Sequence, residues 1–303
     1  MPQSKGVYFR DAFSSIALEL SFLIAFDMLV AIAYVYWGWT WLAVPHIPLS
    51  IFGGAIGVIV GFRNNTSYQR WWEARTIWGS IVNYSRTLGR QALTLIRADA
   101  AEQDSAWQTQ QNIVSHQIAY VHALRCQLRG QDPLTEIAGL LPAEEIDSLK
   151  SARNVALEIQ DRMGRLLRKC FDRRWIDSIR WSSLEQTLTA LANAQGGAER
   201  IKNTPMPRQY DYLPKIFVSV YCILLPLGMV DNLKLFTPIG STLVGVIFLA
   251  LDKIGRQLET PFENTIHDVP LTAITQTIET NLRQQLREAE MPGLEQPVEK
   301  IFS

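Results

Sequence analysis

Four histidines and three cysteines are the residues of this 303-residue chain best suited to catalysis or metal binding, and their spacing supports neither. His116 and His122 lie six apart, which on a helix turns them to different sides. His46 and His267 adjoin loops that flank apolar stretches. Cys126, Cys170 and Cys222 are scattered, odd in number and form no CxxC, so neither a disulfide framework nor a zinc site follows from them. The sequence has no GxxxxGK[ST], no HExxH and no GxSxG. An enzyme is therefore not expected, and no metal or cofactor is implied. The basic pairs Arg168-Lys169 and Arg173-Arg174 are interleaved with Asp172 and apolar residues, as on a solvated helix face, and nucleic acid is not expected as a partner.

The chemistry left open is passage of a solute. In the stretch from Ile51 to Phe62, Gly53, Gly57 and Gly61 recur every fourth residue and line up missing side chains. Such a face lets membrane helices approach closely, either within one subunit or between copies. One position further round, Gly54, Val58 and Phe62 form a second stripe. With several copies around an axis, that stripe would line a narrow apolar neck, and apolar constrictions gate pores by dewetting. Glu19 and Asp27 stand among apolar neighbours. Asp27 is a functional candidate, because a carboxylate at membrane depth faces protein or a water-filled space; structural pairing or protonation is the other reading.

These residues need a membrane scaffold, and the charge pattern supplies one. Met28 to Phe62 is a run of 35 residues without Asp, Glu, Lys or Arg. A bilayer core takes about 20 apolar residues per helix, so the run, broken at 38–48, reads as the inner parts of two helices, the first beginning near Ser14. A second apolar block runs from Ile216 to Val230, breaks at Asp231-Asn232-Leu233-Lys234 and resumes from Leu235 to Leu251; Pro226 predicts a kink or break. Four membrane helices result. The mean hydropathy of +0.02 and zero net charge conceal this segregation. The mildly basic start, Met1 to Arg10, leads into a stretch too long for a signal peptide and reads as an uncleaved anchor. Between Arg63 and Lys215 there are 21 Lys and Arg against 16 Asp and Glu, while the two apolar turns hold only Lys234. Basic residues stay on the cytosolic side. Both termini and the middle block are accordingly expected in the cytosol, with the lipid bilayer of the cell inner membrane around the helices.

The middle block reads as helical throughout. From Asn64 to about Arg129 it has no proline and only Gly79 and Gly89 as breakers, with apolar residues at helical spacing. One or two long helices should therefore continue from the second span. Further helices are predicted from the Leu141-Pro142 start, over about 148–173 and over about 177–195, with Gly196-Gly197 and Pro205-Met206-Pro207 as punctuation. The fold class is an all-α membrane protein. Its parts are an N-terminal segment and first hairpin (1–62), a helical cytosolic domain (63–215), a second hairpin (216–251) and a C-terminal cytosolic segment (252–303).

The stretch Gly-Phe-Arg-Asn-Asn-Thr-Ser-Tyr-Gln-Arg-Trp-Trp-Glu-Ala-Arg at 61–75, followed by Trp78-Gly79, resembles the bestrophin family in its bacterial branch. Glu199-Arg200-Ile201 with Thr204-Pro205-Met206-Pro207 is similar to the family's approach to its third membrane helix, and Glu259-Thr260-Pro261-Phe262 to its Pro-Phe segment after the fourth. The resemblance implies a homopentameric ion channel with one central pore. Eukaryotic members pass chloride under calcium control, and bacterial relatives include a cation conductor. Carried over by matching residues, the neck falls on Gly54, Val58 and Phe62; the resemblance puts a cytosolic aperture on Ile179, judged from its distance to Met206-Pro207, and Asp177 and Arg180 close to it are candidates for selectivity. Small monovalent ions, cations slightly before chloride, are the expected permeants. Two departures stand out: Gly54 replaces the usual bulky apolar residue, and Glu-Asn-Thr-Ile-His-Asp after Phe262 lacks the acidic calcium clasp. The alternative is a non-conducting membrane scaffold or sensor that binds a cytosolic partner.

Overall fold

The structure is a computed structural model that describes residues 4–287. Residues 1–3 and 288–303, the outer ends of the two terminal segments, lie outside the described residues. The order of helices is α1 (Ser4–Tyr36), α2 (His46–Leu95), α3 (Gln103–Leu128), α4 (Pro133–Ile137), α5 (Ala143–Leu149), α6 (Val155–Asp172), α7 (Ser178–Asn203), α8 (Arg208–Leu233), α9 (Thr237–Glu259) and α10 (Leu271–Leu286). Among the described residues there is no strand. The chain divides into two compact units, one built from residues up to Trp71 and from Pro205–Pro261, the other from Trp72–Thr204 and the residues from Phe262 onward.

The first unit contains α1, the first half of α2, α8 and α9. Two of its stretches, Ala17–Tyr36 and Arg208–Glu259, are long and apolar enough to cross a membrane, and the second holds both α8 and α9. The start of α2 is uncharged from His46 to Phe62. Its core joins Leu23 of α1 to Ile56 and Val60 of α2 and to Val218, Tyr221, Cys222 and Leu225 of α8. The Tyr221 ring meets Phe248 edge-on, with centroids 5.0 Å apart. Gly38, at φ 68°, takes the left-handed turn that ends the first hairpin arm. Trp37, Trp39 and Trp41 meet there as tilted pairs with ring centroids 5.2 and 6.0 Å apart, the kind of aromatic cluster that suits a membrane–water boundary. Pro226 does not break α8, which runs through it and through Pro214 to Leu233. Outward faces of the unit carry Leu18, Phe22, Leu29, Ile51, Leu243 and Ile247, all exposed.

The second unit packs the later half of α2 with α3 to α7 and α10 around Trp78, Ile81, Leu88, Tyr120, Leu124, Leu167, Leu191 and Leu282, which are fully buried. Caps set its boundaries. Asp132 accepts from the Leu134 N–H at 3.0 Å with Pro133 in the first turn, and Asn154 accepts from the Leu157 N–H at 3.0 Å. The predicted helix over 148–173 starts later, at Val155, because Asn154 caps it. The helix predicted to stop near Gln195 instead continues through Gly196-Gly197 to Asn203. Its glycines are absorbed because the helix is held on both sides of them: a Cβ on Gly197 would stand 3.0 Å from Ile77, and Ala198 is buried.

Candidate functional site

α2 is two-sided where it runs through the first unit. Gly53, Ile56, Val60, Arg63 and Ser67 face inward at alternating spacings of three and four, and are buried. Gly54, Val58 and Phe62 face outward; Val58 is 58% and Phe62 68% exposed, and nothing stands within 4 Å of where a Cβ on Gly54 would be. The structure therefore leaves the predicted stripe uncovered by the rest of the chain. The glycine face behaves differently from a uniform groove. Only Gly53 packs, against the Tyr221 side chain of α8, while Gly57 and Gly61 have open space beside them.

The polar residues that follow the stripe hold α2 to its neighbours. Arg63 is 1% exposed; its Nη1 donates to Asp252 Oδ1 at 2.5 Å and to the Asp252 carbonyl at 3.2 Å, and its Nη2 to Asp211 Oδ1 at 2.8 Å. Asp252 also meets Arg256 at 2.6 Å. Asn64 donates to the Leu251 carbonyl at 2.8 Å and Arg70 to the Glu259 carbonyl at 2.8 Å. These charges are compensated inside the protein, which is what buried charges require. Nothing in the sequence joins Arg63 to Asp252; the one local signal is the charged Asp252-Lys253 pair that closes the apolar run ending at Leu251. Asp27 also finds partners: it accepts from Ser241 Oγ at 2.5 Å and Thr242 Oγ1 at 2.9 Å, bridging α1 to α9.

The aperture candidates lie at the start of α7. Ile179 is 80% exposed. Asp177 caps the helix, accepting from the Arg180 N–H at 2.8 Å. The Arg180 side chain returns to it, with Nε 3.4 Å from Asp177 Oδ2, and Nη1 donates to the Leu95 carbonyl at 3.3 Å. The two selectivity candidates thus form one local ion pair rather than two independent charges.

His116, His122 and Cys170 of the second unit are buried. His116 bridges the Asn112 carbonyl (2.7 Å) and Glu145 (2.9 Å). His122 meets Glu279 at 2.9 Å, and this hydrogen bond, aided by Arg283 and opposed by burial, holds the Glu279 carboxyl below its ordinary range. Burial pushes the Cys170 thiol up to about 11, which keeps it unreactive.

Long apolar helices with uncovered apolar faces, and charges compensated in the interior, are features of a helical integral membrane protein. Comparison with known proteins narrows the class. Residues 10–284 match the family described as bacterial/fungal bestrophin protein. The voltage-dependent anion channel-forming protein of Ralstonia nicotianae is 35% identical over 268 residues, covering 88% of this chain and 86% of its own length. A protein of Escherichia coli O157:H7 named in the same way is 33% identical over 289 residues, covering 95% and 92%. The crystal structure of a bacterial bestrophin homologue from Klebsiella pneumoniae aligns with a TM-score of 0.85 and 29% identity, over 91% of this chain and 100% of that one. The chain belongs to the bestrophin family, in its bacterial and fungal branch.

Proposed function

We propose that the chain is the subunit of an ion channel: a homopentamer in the cell inner membrane, with four membrane helices per copy and one central pore. Both termini and the 63–215 domain lie in the cytosol. Gly54, Val58 and Phe62 line the neck, and Ile179 forms a second restriction. The observation that carries this reading is the uncovered apolar stripe on α2, directly beside an inner face anchored by Arg63. A stripe of that kind is costly to leave against water and useful around a dewetting gate.

Small monovalent ions are the permeants, and anions take first place. The slight preference for cations drawn from the sequence rests on a cation-conducting bacterial relative, with Asp177 taken as the stronger of the two selectivity candidates. Asp177 is paired with Arg180 at 3.4 Å, and the relatives' names speak of anions. The test is ion flux into liposomes holding the purified protein, followed by a reversal potential under a salt gradient. Silence in a correctly assembled preparation removes the channel reading. A reversal potential on the cation side restores the earlier preference. Native mass must give five copies, and a stable monomer would exclude the pore.

A further inference from the structure

A cavity of about 530 Å³ opens beside the first turn of α7, lined by Arg97, Arg174 and Arg180 together with Asp172, Asp177 and Trp175 among others. Its two carboxylates have partners of their own. Asp177 caps α7 and pairs with Arg180, and Asp172 meets Arg168 at 3.0 Å. Arg97 uses only its Nε, which donates to the Thr94 carbonyl at 3.3 Å. Arg174 has no side-chain partner among the described residues. Arg173, its neighbour, lies over the Trp175 ring at 5.1 Å and donates to Ser105 Oγ at 3.1 Å. Arg97 and Arg174, both exposed, thus bring two guanidinium groups that have no carboxylate partner among the described residues to one open concavity.

The backbone shows why this is a built arrangement. Arg174 closes α6 in the left-handed region, at φ 61°. Its N–H donates to the Phe171 carbonyl at 2.9 Å, and the Trp175 N–H donates to the Cys170 carbonyl at 2.9 Å, the paired bonds of a glycine-type helix cap. Glycine makes that turn without strain, and a non-glycine residue there carries a conformational cost. Nothing in the cap itself calls for a guanidinium. The Arg97 N–H then donates to the Trp175 carbonyl at 3.0 Å, which clamps the end of α2 to the same turn. Two separate segments are locked so that their like charges share one concavity, an arrangement that an anion would relieve.

We propose that this cavity is a binding site for a tetrahedral oxyanion of the phosphate or sulfate class, held by the forks of Arg97 and Arg174 with Arg180 behind them. The planar guanidinium fork matches oxyanion geometry in a way a spherical halide cannot use. The site adjoins Ile179, so its occupancy should reduce ion flux; that consequence, unlike the binding itself, rests on the channel reading above.

The test exploits the cap. Arg174→Gly suits the left-handed position and deletes the guanidinium, while Arg97→Gln removes the second fork. Inorganic phosphate, sulfate and chloride are titrated by calorimetry, at constant ionic strength, into the full-length protein purified in detergent. Saturable phosphate and sulfate binding is expected in the wild type. It should weaken by at least about tenfold in either variant, the scale of one charge-assisted hydrogen bond, with the melting temperature of Arg174→Gly unlowered and chloride failing to compete. Absence of saturable binding, equal binding in both variants, or equal competition by chloride would overturn the site. Binding without liposome flux would sink the channel reading and leave the site standing; flux without binding would do the reverse.

Discussion

Arg63→Met is the sharpest test of how the outward stripe is aimed. The Arg63 guanidinium is buried and serves three acceptors on two residues, at 2.5, 3.2 and 2.8 Å. Arg63 and Phe62 are consecutive on one helix, about 100° apart, so holding one inward turns the other outward. Removing one partner of a buried ion pair costs about 3–5 kcal/mol, because the other charge stays behind. The lower end applies here: Asp252 keeps Arg256 at 2.6 Å, and Asp211 is half-exposed. About 3 kcal/mol in a protein of this size corresponds to a fall of roughly 6–12 °C in Tm. The assay is the fraction of detergent-purified protein that still elutes as a single species after heating. Arg63→Met/Asp252→Leu removes both buried charges and should recover most of the loss, since replacing a buried pair by apolar groups is often neutral. An unchanged Tm in Arg63→Met, or a double variant that loses the sum of the two singles, would refute the claim that this cluster anchors α2.

Further outcomes follow from individual contacts. Phe62→Ala and Val58→Ala should each raise flux by thinning the apolar barrier; unchanged currents in both, with normal assembly, would take this face out of the ion path. Ile179→Ala should raise flux with little change in selectivity, and Arg180→Ala should move the reversal potential further than Asp177→Ala if anions are the permeants. Gly53→Leu should lower Tm, about 1–3 kcal/mol of overpacking against Tyr221, whereas Gly57→Leu should leave the subunit's fold intact and report only on contacts between copies. Glu279→Gln should lower stability at pH 7. The folded-state pKa of Glu279 is depressed by His122, so its contribution is present above the unfolded value of about 4.3 and is lost as pH falls through the folded one; the Tm gap between wild type and variant should close in acid, and a gap independent of pH would refute the link.

The helical architecture was legible because its signals are local. Runs without charge and proline at helix starts act within a few positions, whereas the Asn154 cap, equally local, is outvoted by the apolar spacing before it and the helix start is read too early. The polar cluster was not legible, because Arg63 is joined to a residue 189 positions away. No spacing rule links Arg63 to Asp252 or Asp27 to Ser241. Asp177 and Arg180 stand as neighbours in the sequence, yet their pairing depends on Asp177 being the cap of α7. A helix through Gly196-Gly197 was missed for a related reason: glycine weakens an isolated helix by about 1 kcal/mol, and packing of Ile77 and Ala198 on that segment outweighs it.

The period-four stripes themselves hold the last lesson. An α-helix turns about 100° per residue, so every fourth residue drifts about 40° and a run of three drifts about 80°. Gly53 therefore meets Tyr221 while Gly61 has swung into the open. The same drift separates Gly54 from Phe62. Ile51, by contrast, lies within about 20° of both Val58 and Phe62, and it is 71% exposed. If α2 presents a straight line to the axis, Ile51 rather than Gly54 forms the first layer of the neck. Ile51→Ala should then raise liposome flux as strongly as Val58→Ala, and Gly54→Ile should change it little. The opposite pair of results, a silent Ile51→Ala and a strongly reduced flux in Gly54→Ile, would mean that α2 winds around the pore and that the layer carried over from the family resemblance is the right one.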